Sequence, residues 1–200
     1  MKNNQVSTRD RLIAAAQRRF YREGFRGVGI DQVYAEVGIS KTAFYKHFES
    51  KEGLMLAVIE EHDRWMNASF RAMLAECQDA SVGSQVQSLF DMVETFIESE
   101  GYQGCFFVNV TMEFPLQHDP IHMAAARAKQ SFETIVDGIA ERGGAINPRH
   151  FASALCLVME GAYVTRHVSG DRQALTVARE LGRMLVAQHF PQTASTAATS

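Results

Sequence analysis

The stretch from Gly29 to Leu54 constrains the fold more than any other part of this chain, because it predicts two short helices joined by a tight turn. Apolar residues recur at the 3.6-residue helical period from Ile30 to Val37. Gly38 follows, and glycine readily adopts the positive φ that a sharp turn needs. Ser40 then supplies a hydroxyl that can cap a second helix. The segment is therefore predicted to form a helix-turn-helix.

The second helix of this motif is predicted to present a polar, basic and aromatic face to solvent. Phe44 and Phe48 give it an apolar side, and successive helical residues turn by about 100°. With Phe44 directed inward, Thr42 and Lys46 are directed outward, and Tyr45 flanks them. A helix with such a face suits the major groove of DNA. We therefore interpret it as a recognition helix.

A longer pattern, D-x-V-x-x-x-V-G-I-S-K-x-x-x-Y-x-H-F-x-S-K-E-x-L, runs through the same stretch. It is carried by Asp31, Val33, Val37, Gly38, Ile39, Ser40, Lys41, Tyr45, His47, Phe48, Ser50, Lys51, Glu52 and Leu54. This pattern resembles the DNA-binding domain of TetR-type (TetR/AcrR) transcriptional regulators and covers about the first quarter of the chain. The resemblance implies an all-α fold in which a helical body follows the DNA-binding domain.

The exposed face and the resemblance together define the candidate DNA-contacting residues. Lys51 is among them because a cation in the first turn of a helix opposes the helix dipole and needs a partner such as a phosphate. Gly29 stands where members of the family usually carry Thr or Ser, and its backbone amide is expected to meet a phosphate. The candidates are Gly29, Ser40, Lys41, Thr42, Ala43, Tyr45, Lys46, His47 and Lys51.

The charge is distributed unevenly along the chain. Residues 1–52 hold ten Lys and Arg against six Asp and Glu, although the whole chain has a formal net charge of −3. The helix-turn-helix end is therefore basic and the remainder acidic, as electrostatic attraction to DNA requires. Arg9 and Arg26, near helix ends, are the arginines most expected to contact phosphate. The alternative for them is a solvated helix face.

Composition and motifs argue against several other classes of protein. The 200 residues are 46% hydrophobic and 22% charged, which suits compact domains with an ordinary core. No signal peptide or membrane-spanning run is recognisable, so we predict a cytoplasmic protein with no membrane partner. The three cysteines form no C-x-x-C pair, so neither a disulfide framework nor a zinc site is expected. Neither a catalytic motif nor a phosphate loop is present, so we predict no enzyme activity, no cofactor and no metal.

The order of helical patterns predicts an all-α chain of about nine helices. Residues 1–52 form the predicted helix-turn-helix domain, residues 53–191 an effector-binding and dimerisation domain, and residues 192–200 a disordered tail. A long helix is expected from Lys51 to about Ala75, and it links the two domains. Asp119-Pro120 and Asn147-Pro148 each match a helix start, with a capping side chain followed by proline.

The final two predicted helices carry more apolar surface than one side of each needs. The resemblance implies that this pair meets its copy across a two-fold axis in a homodimer, and a dimer also suits two half-sites one DNA turn apart. An ordinary intramolecular core is the alternative. The candidate dimerisation residues are Phe151, Leu155, Val158, Ala162, Leu181 and Leu185.

Polar residues on one helix and large apolar residues elsewhere suggest an effector site. Cys105, Asn109 and Glu113 recur at i, i+4 and i+8, on one face of a helix that is otherwise mainly apolar. They need partners, which are either an effector or structural hydrogen bonds. Soft and aromatic side chains suit an apolar or aromatic ligand, although most of them must be core. The candidates are Trp65, Phe70, Cys105, Asn109, Met112, Glu113, Met159 and Tyr163.

The sequence as a whole predicts a homodimeric regulator that represses transcription until a small, largely apolar effector releases it from a palindromic operator. One alternative is a regulator of the same fold that senses oxidants or electrophiles through Cys105, although a cysteine within a helix is usually inert packing. Another is a helical small-molecule carrier or enzyme in which the helix-turn-helix is only scaffold.

Overall fold

The computed structural model describes residues 6–77, 79 and 81–191, and within these ranges the chain contains helices and no strands. The all-α class is therefore confirmed. The tail predicted at residues 192–200 lies outside the described residues. The helices are α1 (Thr8–Glu23), α2 (Ile30–Val37), α3 (Lys41–Tyr45), α4 (Lys51–Glu76), α5 (Val82–Ile97), α6 (Phe106–Glu113), α7 (Pro120–Arg142), α8 (Pro148–Ser169) and α9 (Ala174–His189).

The chain divides into two compact units, and the division falls inside α4. The first unit comprises residues 1–65 and 106–128, and the second comprises residues 66–105 and 129–200. The first unit therefore includes α6 and the start of α7 in addition to the helix-turn-helix. The domain boundary predicted after residue 52 precedes the apolar residues of α4 that belong to the first unit.

Local signals fix the helix boundaries of the first unit. The Ser7 hydroxyl accepts a hydrogen bond from the Asp10 amide at 3.1 Å and caps α1, which ends at Gly24 with a φ of 83°. Gly38 ends α2 with a φ of 76°, in the left-handed region that glycine adopts without strain. The Ser40 hydroxyl then accepts from the Ala43 amide at 3.2 Å and caps α3. The predicted helix-turn-helix is confirmed, with a second helix of only five residues.

The second unit packs α5, α8 and α9 around a large apolar cluster. Gly182 permits close packing of α9, since a Cβ there would lie 2.5 Å from a ring carbon of Phe90. Arg179 on α9 also contacts α5, because its guanidinium donates to Asp91 at 2.7 Å and to Glu94 at 2.8 Å. Asn147 caps α8 by accepting from the His150 amide, so this predicted helix start is confirmed.

Three of the six residues predicted for dimerisation face the chain's own core. Phe151, Leu155 and Ala162 are buried in the apolar cluster of the second unit, so they cannot offer surface to another subunit. Val158 and Leu185 are partly buried against the same cluster, whereas Leu181 is exposed. The prediction for the three buried residues is corrected. Helix packing within a subunit and an interface between subunits both bury apolar residues, so hydrophobicity alone does not distinguish them.

Candidate functional site

The outward face of α3 is exposed as predicted from helical geometry. Lys41, Thr42, Lys46 and His47 are exposed, and 46% of Tyr45 is accessible to solvent. Ser40 is also exposed and Ala43 is half-buried. The face therefore offers hydroxyl, ammonium, imidazole and phenol groups to solvent within one short helix and its C-terminal turn.

Two phenylalanines hold this face from behind. Phe44 is completely buried and Phe48 nearly so, with their ring centroids 5.9 Å apart. The ring of Tyr34 on α2 lies 6.4 Å from that of Phe44. Arg11 on α1 donates to the Val37 carbonyl at 2.6 Å, so it satisfies an end of α2 that lacks helical partners. These contacts fix α3 against α1 and α2.

Most arginines of α1 have partners within the first unit. Arg18 and Arg19 both donate to the Glu36 carboxylate, at 2.8 and 2.6 Å. These hydrogen bonds, with that of Arg18 the larger cause, lower the pKa of Glu36. The Arg9 guanidinium lies 5.1 Å from the centroid of the Phe48 ring. Lys41 and Lys46, in contrast, make no ion pair within the described part of the chain.

Lys51 and Gly29, which were also predicted to meet phosphate, make contacts inside the protein. Lys51 Nζ donates to the Arg26 carbonyl at 3.1 Å. Burial lowers the pKa of Lys51, while the nearby carboxylate of Glu113 acts in the opposite direction. The Gly29 amide donates to the Gln32 side chain at 2.9 Å, and a Cβ on Gly29 would lie 2.2 Å from Asp31 Oδ1. The glycine thus leaves room for the Asp31 carboxylate.

Glu113, predicted as an effector ligand, binds the loop between α1 and α2. Its Oε1 accepts from the Phe25 amide and its Oε2 from the Arg26 amide, each at 2.8 Å. The Arg26 side chain returns a hydrogen bond from Nε to the Glu113 carbonyl at 2.9 Å and lies over the Phe114 ring at 4.8 Å. The structural alternative for this carboxylate is therefore observed.

A cleft of about 260 Å³ lies beside Glu113 in the first unit. Asn109 and Met112 line it together with Glu113, so three of the predicted effector residues share one cavity wall. Trp65 is half exposed and contacts His62, at 5.5 Å between ring centroids. Aromatic side chains and a glycine complete the lining of the cleft, namely Phe20, Tyr21, Gly24, Phe25 and Phe106.

The other predicted effector residues belong to the second unit. Phe70 and Met159 are buried in its apolar cluster, and the Phe70 ring contacts that of Phe132 at 4.6 Å. Tyr163 is partly buried, and burial is the main cause that raises its phenol pKa. Cys105 is a half-buried free thiol immediately before α6. The eight predicted residues are thus divided between the two units.

Sequence reasoning missed the role of His62. Its Nδ1 lies 3.0 Å from Gln17 Nε2 on α1, and its ring lies 4.1 Å from that of Phe106 on α6. Burial lowers the pKa of His62 to about 4. The imidazole is therefore a neutral connection between α1, α4 and α6. A single histidine on an amphipathic helix gave no signal of this role.

Sequence reasoning also missed most of the exposed apolar surface of α8 and α9. Leu157 is 69% exposed, and Gly161, Val164 and Val168 follow it at i+4, i+7 and i+11 on the same face of α8. On α9, Met184 is 66% exposed and shares a face with Val177 and Leu181. The sequence indicated that both helices carry more apolar surface than one side needs, but periodicity did not identify which residues lie on the outer side.

Metal and membrane sites are not evident in the part of the chain that the structure describes. No group of three or more His, Cys, Asp or Glu side chains there could hold a metal ion. His122, which the sequence places near Glu113, has its Nδ1 2.7 Å from the Phe114 carbonyl. None of the described helices combines the length and apolarity needed to cross a bilayer.

Models of known protein families match the N-terminal and C-terminal parts of this chain. Residues 12–58 match the family model for bacterial regulatory proteins of the tetR family, and residues 83–181 match that for the tetracyclin repressor-like C-terminal domain. A TetR-family transcriptional regulator from Streptomyces coelicolor has a similar crystal structure. Its TM-score is 0.79 at 25% identity, over 91% of this chain and 95% of that one.

Two curated relatives act in opposite directions. The transcriptional activator FasR of Mycolicibacterium smegmatis is 29% identical over 133 residues, which is 66% of this chain and 56% of FasR. The transcriptional repressor DhaR of a Mycobacterium species is 25% identical over 180 residues, which is 86% of this chain and 88% of DhaR. The aligned region thus spans little more than half the length of FasR. From the exposed α3 face, the all-helical fold and the two matched domains together, the chain belongs to the TetR family of bacterial helix-turn-helix transcriptional regulators.

Proposed function

We propose that this protein is a homodimeric transcriptional repressor that leaves a palindromic operator when it binds a small, largely apolar effector. The observation that carries DNA binding is the exposed face of α3, held by the buried Phe44 and Phe48. Thr42, Tyr45 and Lys46 are the proposed contacts to base edges and phosphates in the major groove. Such a regulator works in the cytoplasm, where the bacterial chromosome lies.

A dimer is proposed through the exposed apolar faces of α8 and α9. Leu157, Val164 and Val168 on α8 and Leu181 and Met184 on α9 form apolar surface that a lone subunit would leave in water. Exposed apolar helix faces of this kind suit an interaction site. A two-fold axis would bring each face against its copy and set two recognition helices at half-sites about 34 Å apart.

The proposed response to effector depends on α4, which runs from Lys51 at the end of the helix-turn-helix into the second unit. In the proposed mechanism, the effector binds more tightly to a conformation whose recognition helices do not match the half-site spacing. The free energy of operator binding is then weakened by the difference between the effector's affinities for the two conformations. Repression is proposed because DhaR, which aligns over most of both chains, is a repressor. FasR is an activator, so the direction of regulation is a separate test from DNA binding.

The experiment that tests DNA binding compares two single-charge variants at different salt concentrations. Lys46→Gln removes a cation that has no ion pair among the described residues, whereas Arg18→Gln removes one that is paired with Glu36. Both side chains are exposed, and the two substitutions change the net charge by the same amount. The probe is a duplex selected from a random-sequence library by the wild-type chain, and binding is measured by fluorescence anisotropy.

Each phosphate contact contributes about 0.9 to the slope of log Kobs against log salt. Lys46→Gln should therefore reduce the slope by about 1 per subunit and weaken specific binding. Arg18→Gln should leave the slope close to that of the wild type. Equal slopes for the two variants would reject the proposed contact surface, and failure to select any duplex would reject the regulator itself.

A further inference from the structure

We propose that Glu113 is a positioning residue for DNA recognition: its carboxylate latches the loop between α1 and α2 to the end of α6. The latch is defined here as Glu113, the loop residues 24–29 and Lys51. This inference deepens the proposed function and rests on it, because it concerns what holds the helix-turn-helix in its DNA-binding form.

Both oxygens of the Glu113 carboxylate are engaged by the loop backbone. They accept from the adjacent amides of Phe25 and Arg26, each at 2.8 Å. Hydrogen bonds to a charged acceptor are shorter and stronger than neutral ones. Gly24 suits this approach, because its φ of 83° strains other residues and a Cβ there would lie only 3.2 Å from Glu113 Oε1. The loop conformation and the carboxylate therefore depend on each other.

Arg26 is held from several directions at once. Its Nε donates to the Glu113 carbonyl at 2.9 Å, and its guanidinium lies over the Phe114 ring. Its own carbonyl accepts from Lys51 Nζ at 3.1 Å. The loop is thus tied to the last residue of α6 and to the first residue of α4, all within the first compact unit.

The loop held by Glu113 leads directly into the helix-turn-helix. The loop ends at Gly29, the residue before α2 begins, and α2 supports α3 through Tyr34 and Phe44. A shift of α6 is therefore passed to the helix-turn-helix through the hydrogen bonds of Glu113, in addition to the ring contact between Phe106 and Phe25 at 5.5 Å. The cleft lined by Asn109 and Met112 lies on α6 beside the latch, so an occupant of the cleft would act on the same helix.

The test replaces Glu113 by Gln, which keeps the size of the side chain. Gln has one acceptor oxygen, and its amide nitrogen would face one of the two loop N–H groups as a second donor. Glu141→Gln is the matched control, because it removes one carboxylate at an exposed position on α7. Hydrogen–deuterium exchange of the peptide covering residues 24–29 and anisotropy on the selected duplex are measured for each chain.

We expect exchange of the Phe25 and Arg26 amides to be about tenfold faster in Glu113→Gln than in the wild type. Specific DNA affinity should fall on the order of tenfold, whereas the control should match the wild type in exchange and bind DNA at least as tightly. The direction is informative. Loss of a negative charge on its own strengthens attraction to phosphate, so weaker binding has to come from the altered loop.

Unchanged exchange in Glu113→Gln would show that the carboxylate does not hold the loop. Faster exchange with unchanged DNA affinity would reduce Glu113 to a local structural role. Either result overturns the proposed role of Glu113 in DNA recognition and leaves DNA binding by the wild type intact. If the wild type itself selects no duplex, the proposed function fails, and the role assigned to Glu113 in recognition fails with it. Circular dichroism establishes that both variants are folded.

Discussion

His62 should make the stability of this protein unusually sensitive to mild acid. Burial lowers the pKa of His62 from 6.5 to about 4. The unfolded chain therefore takes up a proton as the pH falls below about 6.5, while the folded protein does not until the pH approaches about 4. The neutral imidazole favours folding above this window, and its contribution is lost as the pH falls through it.

The magnitude follows from the two pKa values. Their full difference corresponds to about 3 kcal/mol between the protonation states. About 2 kcal/mol of this is lost between pH 7 and pH 5, and the remainder is lost as the pH approaches 4. A typical domain has only about 5–15 kcal/mol of stability in total, so one side chain should be visible in the pH profile.

The comparison variant is His62→Phe, which keeps an aromatic ring beside Phe106 and removes the titrating group. Loss of the contact with Gln17 lowers its stability at every pH by a similar amount. Urea unfolding between pH 7 and pH 5 can be followed by the fluorescence of Trp65, which is the single tryptophan of the chain and contacts His62 at 5.5 Å.

The wild type should lose about 2 kcal/mol more than His62→Phe over this range. Parallel pH profiles would refute the reasoning, because they would mean that the imidazole meets the same surroundings in the folded and unfolded chains. A steeper profile for the variant would reverse the sign and exclude burial as the dominant influence on His62.

Two further predictions concern the core behind the recognition helix and the exposed face of α8. Phe44→Ala should lower the free energy of unfolding by about 3–5 kcal/mol, since the ring is completely buried; a loss below about 1 kcal/mol in urea unfolding would show that α3 does not depend on it. If the proposed dimer forms through this face, Leu157→Glu should convert it to a monomer in light scattering, because the variant would bury an unpaired charge at a position that is 69% exposed in one subunit. An intact dimer with an unchanged dissociation constant would remove this face from the proposed interface.

The helix-turn-helix could be predicted in detail because its signals are local. A serine hydroxyl caps α3, a glycine with positive φ closes α2, and helical periodicity separates Phe44 from Thr42 and Lys46. None of these inferences needed knowledge of a distant residue. The exposure of the α3 face then followed from the burial of two phenylalanines on its opposite side.

The apolar faces of α8 were harder to assign because the helix is hydrophobic on two sides. Leu155 and Leu157 are both leucines on one helix, yet one is buried in the core and the other is largely exposed. Gly182, which lies beside Leu155 on the inner side, is distant from it in the sequence. Periodicity identifies that α8 has two apolar sides, but the choice of inner side depends on tertiary contacts.

The charged residues at the ends of α4 and α6 show how sequence could have located the latch. Lys51 lies in the first turn of α4 and Glu113 is the last residue of α6. A positive charge at a helix N-terminus and a negative charge at a helix C-terminus are both unfavourable for the helix dipole. From the sequence alone, the partner expected for Lys51 is a phosphate. The structure supplies a different pair of partners in one loop: a carbonyl for Lys51 and two amides for Glu113. A peptide loop can satisfy an ammonium and a carboxylate together because it carries both donors and acceptors. In this protein, two helix ends with unfavourable charges of opposite sign therefore share one stretch of backbone, and no ligand is needed to satisfy either charge.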